Sequence, residues 1–259
     1  MNINLIKGDC LERMKDIPDK SIDMILCDLP YGTTRNKWDN IISFDELWGE
    51  YNRIIKDEGV IILFAQGMFT SQLMFSQKNL WRYNLIWEKD RPSGFLNAKK
   101  MPLRSHEDIC VFYKKTPTYN PIFWEGKPLH GMGQKYKEGN LANNNYGDFK
   151  SHKNPSANRQ GDTKKYPRSV LKFSKEHPPI HPTQKPVALL EYLIKTYTNK
   201  RQVVLDNCMG SGSTGIACLS SDRNFIGIEL DDSYFDVATN RINTYIKDNN
   251  LENIELNIN

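Results

Sequence analysis

The chain has 259 residues, of which 39% are hydrophobic and 25% are charged, and its formal net charge is +4. These values allow one globular α/β domain with an insertion, and they exclude fibrous and fully disordered proteins. The most apolar run, residues 60–65, is far shorter than the roughly 20 residues that a membrane-spanning helix needs.

The five cysteines are scattered and form no C-x-x-C pair, which argues against a zinc site. The N-terminus carries acidic residues and lacks the apolar segment of a secretory signal. Reduced thiols without such a signal are typical of the cytoplasm, so we predict a cytoplasmic protein without a bound metal.

A predicted strand, residues 22–27, runs into the sequence Asp28-Leu29-Pro30-Tyr31. Side chains at the carboxyl end of a parallel strand point into the ligand crevice of an open α/β sheet. Asp28 and the carbonyl of Leu29 offer two hydrogen-bond acceptors. Pro30 stiffens the loop, and Tyr31 offers a flat face. This combination suits the exocyclic amino group of a flat base, although an Asp near a Pro also occurs at ordinary strand ends.

Further short apolar runs predict strands buried on both faces of a parallel sheet, at residues 60–65, 85–87, 109–113, 203–205 and 225–228. Residues 88–97 form either a loop that closes over a base or DNA, or a plain solvated loop. Helical spacing of apolar residues predicts helices at 189–197, behind Pro186, and at 235–245, behind a cap at 231–233. Strands that alternate with helices predict a doubly wound, mostly parallel α/β sheet.

Positive charge is concentrated in residues 114–175, which carry 13 Lys/Arg against 4 Asp/Glu. Eight aromatic residues lie in the same stretch: Tyr119, Phe123, Trp124, Tyr136, Tyr146, Phe149, Tyr166 and Phe173. Cations neutralise phosphates and aromatic rings stack on bases, so the stretch indicates nucleic acid, although a solvated insertion with a small core would look the same. We predict an α/β domain formed by residues 1–113 and 176–259, with 114–175 as an irregular insertion.

A glycine loop follows the predicted strand at 203–205, where Gly210, Gly212 and Gly215 fit G-x-G-x-x-G. The next strand ends in Glu229, whose carboxylate can bind ribose hydroxyls. This arrangement predicts an adenosine-containing cofactor, either NAD or S-adenosylmethionine. The late position of the loop leaves little chain for a dinucleotide fold. Asp206, just before the loop, suits a cofactor with an amino group better than a pyrophosphate.

Four segments resemble the amino-group DNA methyltransferase family. Residues 28–31 resemble its (D/N/S)-P-P-Y motif, and residues 206–212 resemble its cofactor loop, often F-x-G-x-G. Residues 181–186, His-Pro-Thr-Gln-Lys-Pro, match the segment before that loop, and residues 4–12 resemble the usual opening. The order of catalytic loop, insertion and cofactor loop is that of the β group, a circular permutation of the commoner arrangement.

The resemblance implies a seven-stranded, largely parallel sheet with helices on both faces and a target-recognition region at the insertion. It implies methyl transfer from S-adenosylmethionine, without a metal, to the amino group of a base flipped out of duplex DNA. Asp28 and the Leu29 carbonyl would accept the two amine hydrogens, and Tyr31 would stack on the base. Asp at the first motif position favours the 6-amino group of adenine, with the cytosine-N4 amino group as the alternative.

For the cofactor, the resemblance implies that Glu229 holds the ribose hydroxyls and that Asp9, at the end of the first strand, faces the adenine edge. The glycines would admit the methionine portion. The predicted cofactor-binding residues are Asp9, Cys10, Thr183, Lys185, Asp206, Gly210, Gly212 and Glu229. The sequence departs from the family at Leu29, which replaces Pro, and at residues 208–209, Cys-Met, where the family often has an aromatic residue.

Duplex DNA is the predicted partner, because the basic insertion lies where the β group keeps its target-recognition region. The residues predicted to contact DNA are Lys114, Lys115, Lys127, Lys135, Lys137, Lys150, Lys153, Arg159, Lys164, Lys165 and Arg168. The resemblance also implies a bacterial or phage-infected bacterial cell, a role in restriction–modification, and a homodimer as in many relatives of the group.

Other functions fit parts of the sequence. Relatives that modify RNA or protein glutamine amides share the loop, but they usually begin it with Asn and keep the unpermuted order. An NAD-dependent oxidoreductase would explain the glycine loop alone. A non-catalytic DNA-binding module would explain the basic insertion but not the motif at residues 28–31 or Glu229. Methylation of a cytosine ring carbon needs a Pro-Cys dipeptide, and no Cys follows Pro here.

Overall fold

The structure, a computed structural model, describes residues 1–32, 40–128, 161–176 and 184–259. The chain divides into two compact units, Met1–Asn120 with Ser169–Asn259, and Pro121–Arg168. The smaller unit is narrower than the predicted insertion, because residues 114–120 and 169–175 belong to the larger unit. Val170–Phe173 forms a strand of the larger unit's main sheet.

The larger unit alternates strands and helices. Its strands are β1 (Asn2–Lys7), β2 (Ile22–Cys27), β3 (Ile55–Ala65), β4 (Trp81–Ser93), β5 (Arg104–Phe112), β8 (Val170–Phe173), β9 (Val203–Asp206), β10 (Asn224–Glu229) and β11 (Glu255–Ile258), and the smaller unit contributes β6 (Trp124–Glu125) and β7 (Lys164–Lys165). The helices are α1 (Cys10–Met14), α2 (Phe44–Ile54), α3 (Met68–Ser76), α4 (Val187–Tyr197), α5 (Ser213–Ser221) and α6 (Asp232–Asp248), and a 3-10 turn spans Phe95–Asn97. No helix among the described residues is long and apolar enough to cross a membrane.

The strands of the larger unit form one sheet in the order β11-β1-β10-β9-β2-β3-β5-β4-β8. All the strands run parallel to one another except β5, which is antiparallel to both of its neighbours. The mostly parallel α/β sheet confirms the predicted fold class. The described sheet exceeds the implied seven strands by its two edge strands, β8 and β11. Both are four residues long and partly exposed, so they lack the continuous apolar runs that mark buried strands.

Residues 88–93 continue β4, contrary to the prediction that they lie in a loop. Glu88 pairs with His106 of β5 and with Lys172 of β8, and Lys89 pairs with Phe173. The prediction failed because the segment is polar and its second neighbour, β8, was not foreseen.

Helices cover both faces of the sheet. α1, α2 and α3 pack on one face through residues such as Leu47 and Leu73. α4, α5 and α6 pack on the other face through residues such as Leu193, Ile216 and Ile242. All six residues of β2 are buried, because this central strand has helices on both sides. The apolar run from Met24 to Cys27 therefore has a direct structural reason, and the buried carboxylate of Asp23 accepts hydrogen bonds from Lys56, Gln202 and the N–H of Val203.

The carboxyl ends of the parallel strands meet at one edge of the sheet, which we call the catalytic edge. β9 and β2 are adjacent, with Met24 opposite Val204 and Ile25 opposite Leu205. From these two strands the chain continues in opposite directions along the sheet, from β9 to β10 and from β2 to β3. Open α/β sheets bind their ligands in the crevice at such a switch point. The segments that follow β1, β2, β9 and β10 line this crevice.

Candidate active site

The glycine loop between β9 and α5 depends on two left-handed backbone conformations. Gly210 and Gly212 have φ angles of +51° and +76°, which side chains with a Cβ rarely adopt. A Cβ added to Gly210 would meet no atom within 4 Å, whereas one added to Gly212 would lie 3.1 Å from the Cβ of Ala238 in α6. Gly210 thus leaves room for a ligand, and Gly212 lets α6 approach the loop.

Glu229, the last residue of β10, binds the glycine loop. Its two carboxylate oxygens accept hydrogen bonds from the backbone N–H groups of Gly210 (2.8 Å) and Asp231 (2.9 Å). Burial raises the pKa of Glu229 above its ordinary value, and these N–H donors oppose that effect. A carboxylate oxygen has more than one lone pair, so Glu229 can still accept hydrogen bonds from a ligand's hydroxyl groups.

Asp206 is buried at the carboxyl end of β9. It accepts a 2.6 Å hydrogen bond from the hydroxyl of Thr214 and a 3.2 Å hydrogen bond from the N–H of Cys208. Burial raises the pKa of Asp206 to about 6. A ligand that brings a positive charge to this carboxylate would favour its ionised form.

Asp9 lies two residues beyond the end of β1, not at the strand end where it was predicted. One of its carboxylate oxygens accepts hydrogen bonds from the N–H groups of Leu11 (2.9 Å) and Glu12 (3.3 Å), so Asp9 is the N-cap of α1. The cap still places Asp9 at the catalytic edge, next to Gly8, whose N–H donates to the carbonyl of Glu229.

Three thiols meet beneath the glycine loop. Cys10 and Cys27 are buried in the core beneath α1–α3, Cys208 packs against that core, and burial raises the pKa of Cys27 to about 12. The hydroxyl of Tyr51 in α2 donates to the side-chain oxygen of Asn207. Of these five residues only Cys10 was predicted to belong to the site. Sequence reasoning could have found three of the other four, because Cys27, Asn207 and Cys208 lie at or just beyond the ends of buried strands. Tyr51, inside α2, carries no such signal.

Asp28 stands just beyond β2, with Tyr31 and Leu29 fixed around it. The hydroxyl of Tyr31 donates a 2.6 Å hydrogen bond to Oδ1 of Asp28, and the Tyr31 ring lies 4.8 Å from the ring of Phe69, centroid to centroid. The side chain of Leu29 is buried in the core beneath α1–α3. Leu at this motif position therefore contributes core packing while keeping the backbone carbonyl.

A chain of alternating charges continues from Asp28 into the protein. Lys185 Nζ donates to Oδ2 of Asp28 and lies 3.3 Å from Oε2 of Glu107. Lys89 Nζ donates to Oε1 of the same Glu107 at 3.0 Å. The side chains of Lys89, Glu107 and Lys185 are only 2%, 13% and 8% exposed. We call Lys89, Glu107, Lys185 and Asp28 the buried ion chain.

The pKa shifts within the buried ion chain follow from burial and from its charges. Burial raises the pKa of Asp28, and the charge of Lys185 partly offsets this. Burial acts to raise the pKa of Glu107 as well, but the two lysines hold it below its ordinary value. Burial acts to lower the pKa of Lys185, and the carboxylates of Asp28 and Glu107 reverse this and raise it. Lys185 therefore remains a cation.

Glu176 and Arg241 fix the segment that carries Lys185, and the sequence did not single out either. One oxygen of Glu176 accepts from the N–H of Val187 at the start of α4, and the other lies 3.2 Å from Arg241. Arg241 also donates to the hydroxyl of Ser213 and to the carbonyl of Ser211 in the glycine loop. Arg241 in α6 thus ties the Lys185 segment to the cofactor loop.

Several predicted site residues lie outside the described residues: Thr183, Lys135, Lys137, Lys150, Lys153 and Arg159. Lys114 and Lys115 are described, and they lie at the sheet edge opposite the catalytic edge. Lys115 pairs with Asp57 near the start of β3, and Lys114 donates to the carbonyl of Asn52. Because β5 is antiparallel, the residues that follow it point away from Asp28, so we do not retain these two lysines as DNA contacts.

The smaller unit combines cations with exposed aromatic rings. β6 and β7 pair antiparallel, with Trp124 opposite Lys165. The guanidinium of Arg168 lies 4.7 Å from the Trp124 ring, and the rings of Phe123 and Tyr166 are 4.8 Å apart. A pocket on this unit is lined by Trp124, Gly126, Lys127, Lys165, Tyr166 and Arg168. The predicted DNA contacts Lys127, Lys165 and Arg168 thus share one surface.

Comparison with known proteins assigns this site to a family. The model of the DNA methylase family N6_N4_Mtase matches residues 22–240. The chain belongs to this family. The match includes the Asp28 loop, the Lys185 segment and the glycine loop, so this DNA methylase carries the predicted order of segments.

Curated relatives are similar over nearly the whole chain. The type II methyltransferase M2.MboI of Moraxella bovis is 28% identical over 265 residues, which are 93% of this chain and 87% of the relative. The DNA adenine methyltransferase YhdJ of Escherichia coli (strain K12) is 28% identical over 252 residues, which are 92% of this chain and 82% of the relative.

Solved structures share the fold. The M1.HpyAVI–SAM complex has a TM-score of 0.61 at 24% identity, covering 93% of this chain and all of that one. The cytosine-N4-specific PvuII DNA methyltransferase has a TM-score of 0.64 at 15% identity, covering 98% of this chain and 96% of that one. The predicted family, fold class and enzyme class are confirmed: this DNA methylase is an S-adenosylmethionine-dependent methyltransferase.

Proposed function

We propose that this DNA methylase transfers the methyl group of S-adenosylmethionine to the 6-amino group of an adenine flipped out of duplex DNA. The observation that carries the proposal is the position of Asp28. Its carboxylate stands at the carboxyl end of β2, next to β9 and the glycine loop. The base specificity rests on Asp at this motif position, and the adenine specificity named for the relative YhdJ supports it.

The residues at the catalytic edge fit S-adenosylmethionine. Glu229 is fixed by two backbone N–H groups and can accept hydrogen bonds from the ribose hydroxyls. Asp206, a buried carboxylate with a raised pKa, suits the positively charged amino group of the methionine portion. Gly210 leaves space where a Cβ would otherwise stand. When bound, the cofactor supplies a methyl group on a positively charged sulfur, which a neutral amine can attack without a metal.

Asp28 and Leu29 would prepare the target nitrogen for this attack. An aromatic amine is a weak nucleophile because its lone pair is delocalised into the ring. Hydrogen bonds from its two N–H groups to the Asp28 carboxylate and the Leu29 carbonyl favour a tetrahedral nitrogen with a localised lone pair. The nitrogen becomes positively charged as its bond to the methyl group forms, and it then loses a proton. The raised pKa of Asp28 makes its carboxylate a suitable acceptor for that proton.

Tyr31 would hold the flipped base. One side of its ring packs beside Phe69, so the tyrosine is supported when a base stacks on its other side. Duplex DNA would be bound through the cations and aromatic rings of the smaller unit, by phosphate contacts and stacking. We propose Lys127, Lys164, Lys165 and Arg168 as contacts.

The cytosine-N4 amino group is the second candidate target. The family includes enzymes for both bases, and the PvuII enzyme, whose fold this chain shares, is specific for cytosine N4. One experiment separates the candidates. Purified protein is incubated with methyl-labelled S-adenosylmethionine and mixed-sequence duplex DNA, and the labelled nucleoside is identified by mass spectrometry. We expect N6-methyladenine. N4-methylcytosine would establish the second candidate, and unlabelled DNA would contradict both.

The cofactor assignment has its own test. Isothermal titration should detect binding of S-adenosylhomocysteine to the wild-type protein and no binding of NAD. Glu229→Gln should weaken S-adenosylhomocysteine binding by about 10-fold or more, because the ribose hydroxyls lose a charged acceptor. Glu255→Gln, the same change at an exposed position of β11, is the matched control and should bind as the wild type does.

A further inference from the structure

Both carboxylate oxygens of Asp28 are already occupied by neighbouring side chains. Tyr31 donates to Oδ1, and Lys185 donates to Oδ2. Each oxygen keeps a lone pair for the target amine. The charge-assisted bond from Lys185 nevertheless weakens Asp28 as an acceptor, so the carboxylate binds the amine hydrogen more strongly when Lys185 moves away. Lys185 is a buried cation, so it needs another anion when it leaves Asp28.

Glu107 offers that second anion. Its Oε2 is buried and has no well-formed hydrogen bond among the described residues, although Lys185 Nζ lies 3.3 Å away. Buried carboxylate oxygens normally have a hydrogen-bonding partner, so this oxygen has capacity for a stronger one. A small movement of the Lys185 ammonium would bring it from Asp28 to Glu107 without exposing it to water.

Lys89 keeps Glu107 in place. It binds the other carboxylate oxygen of Glu107 at 3.0 Å, and its side chain is 2% exposed. The two residues lie on the paired strands β4 and β5, where Trp87 is opposite Glu107. Strand pairing holds the backbones of Lys89 and Glu107, whereas Lys185 lies outside the sheet, just before α4, so Lys185 is the member of the buried ion chain that can move.

We propose that Glu107, held by Lys89, receives the ammonium of Lys185 when Asp28 turns to the target amine, and that Glu107 is a positioning residue for methyl transfer. The inference rests on the proposed function, because it assigns Glu107 a task in the reaction of Asp28. Glu107 itself does not touch the substrate. It lets Asp28 exchange its bond to Lys185 for one to the amine while the site stays electrically balanced.

Glu107→Gln is the direct test. We expect single-turnover methyl transfer to mixed-sequence duplex DNA to slow by about 10- to 100-fold. The affinities for DNA and for S-adenosylhomocysteine should stay within about twofold of wild type. Glu107→Asp keeps the charge and should recover most of the rate. The control Glu88→Gln alters a half-exposed carboxylate on β4 that pairs with Lys172, and it should behave as wild type.

A double variant separates positioning from a purely structural role. Lys89→Met/Glu107→Gln removes a buried ion pair and leaves Lys185 with Asp28, so the folded state stays electrically balanced. The inference predicts that this variant folds yet remains as slow as Glu107→Gln. A wild-type rate in either variant would overturn it. Inactive wild-type protein would instead contradict the proposed function, so the two failures are distinguishable.

A second, independent observation concerns the loop between β4 and β5. The residues from Gly94 to His106 are exposed, and at the tip Phe95 and Leu96 are 80% and 99% exposed. Backbone hydrogen bonds from Asn97 to Gly94 and from Ala98 to Phe95 hold the tip in a 3-10 turn. The same loop also exposes Met101 and Leu103, and exposed apolar side chains that cluster on a surface mark interaction sites.

Charge and position favour duplex DNA as the partner of this loop. Residues 91–106 contain four cations and no carboxylate: Arg91, Lys99, Lys100 and Arg104. β4 is parallel to β2 and β3, so its carboxyl end lies at the catalytic edge, with Glu107 and the buried ion chain. We propose that Phe95 and Leu96 insert into the base stack beside the flipped nucleotide while the cations bind phosphates. This proposal also rests on the proposed function.

The test uses a duplex that carries a methylation site mapped with the wild-type enzyme. Phe95→Ala/Leu96→Ala should lower the methylation rate by about 10-fold or more, because extrusion of the base becomes harder. An abasic site opposite the target lowers the cost of extrusion and should restore most of the rate. Phe75→Ala is the control, because Phe75 is 78% exposed and lies at the far end of α3. A wild-type rate of the double variant on the intact duplex would overturn the proposal, as would a defect that the abasic site leaves unchanged. An inactive wild type would contradict the proposed function.

Discussion

The hydroxyl of Thr214 in α5 donates a 2.6 Å hydrogen bond to Asp206 at the end of β9, across the glycine loop. The bond closes the loop and partly compensates a carboxylate that is only 4% exposed. No cation pairs with Asp206 among the described residues, so burial dominates and raises its pKa to about 6. Asp206 therefore destabilises the fold when it is ionised, which is typical of a group kept for binding.

This shift predicts how stability depends on pH. The pKa of Asp206 is raised to about 6 in the folded protein and is about 3.9 in an unfolded chain. The protonated form thus favours the fold below pH ~4, and this stability is lost as pH rises through about 6. Asp206→Asn removes the ionisation, so relative to wild type it should gain about 2 to 3 kcal/mol between pH 4 and pH 7.

Urea unfolding of both proteins at several pH values measures this gain. Glu229 also has a raised pKa but is present in both proteins, so the difference between the two curves isolates Asp206. If the unfolding free energies of the two proteins changed in parallel with pH, the raised pKa of Asp206 would be contradicted.

Two lysine pairs test where DNA binds. Lys164→Ala/Lys165→Ala removes two cations from the smaller unit and should lower the slope of log affinity against log salt by about two. Lys114→Ala/Lys115→Ala removes the same charge from the edge opposite Asp28. The second variant should keep the wild-type slope in fluorescence anisotropy titrations with mixed-sequence duplex DNA. A loss of slope in the second variant but not in the first would show that DNA binds elsewhere.

Two glycines predict opposite effects on stability. A Cβ on Gly215 would lie 2.8 Å from Ile242 and 3.0 Å from Phe225, so Gly215→Ala should destabilise the protein by about 1 to 3 kcal/mol. A Cβ on Gly49, in α2, would meet no atom within 4 Å, so Gly49→Ala should stabilise it by about 0.5 to 1 kcal/mol. Thermal unfolding measures the change in stability of each variant. Changes of the same sign in the two variants would contradict this account of packing between α5, α6 and β10.

The part of the site that could be predicted from the sequence consists of polar residues that directly follow buried parallel strands. Asp28, Asp206 and Glu229 each come at the end of an apolar run, and the strands of a parallel sheet end at one edge. Their proximity therefore follows from periodicity and topology alone. The order of the motifs predicted the circularly permuted arrangement, and the basic composition of residues 114–175 indicated a nucleic-acid partner.

The rest of the site depends on contacts that no local pattern encodes. Lys89 and Glu107 meet because β4 continues beyond its apolar residues and pairs with β5. The continuation is polar, so the sequence does not mark it as a strand. Lys185 reaches Asp28 although the two residues are 157 positions apart. Glu176 and Arg241 come together only after α4 and α6 have packed on the same face. Asp9 was predicted at the end of the first strand. β1 instead ends two residues before it, at Lys7, and Asp9 caps α1.

The central claim is that Asp28 accepts a hydrogen of the adenine amino group. The most direct test compares wild type and Asp28→Ala in single-turnover transfer of labelled methyl groups to mixed-sequence duplex DNA, with N6-methyladenine as the readout. Asp57→Ala, at the opposite edge of the sheet, is the control. We predict that Asp28→Ala lowers the rate by at least about 100-fold, with S-adenosylhomocysteine affinity within about twofold of wild type. Formation of N6-methyladenine by Asp28→Ala at the wild-type rate would contradict the claim.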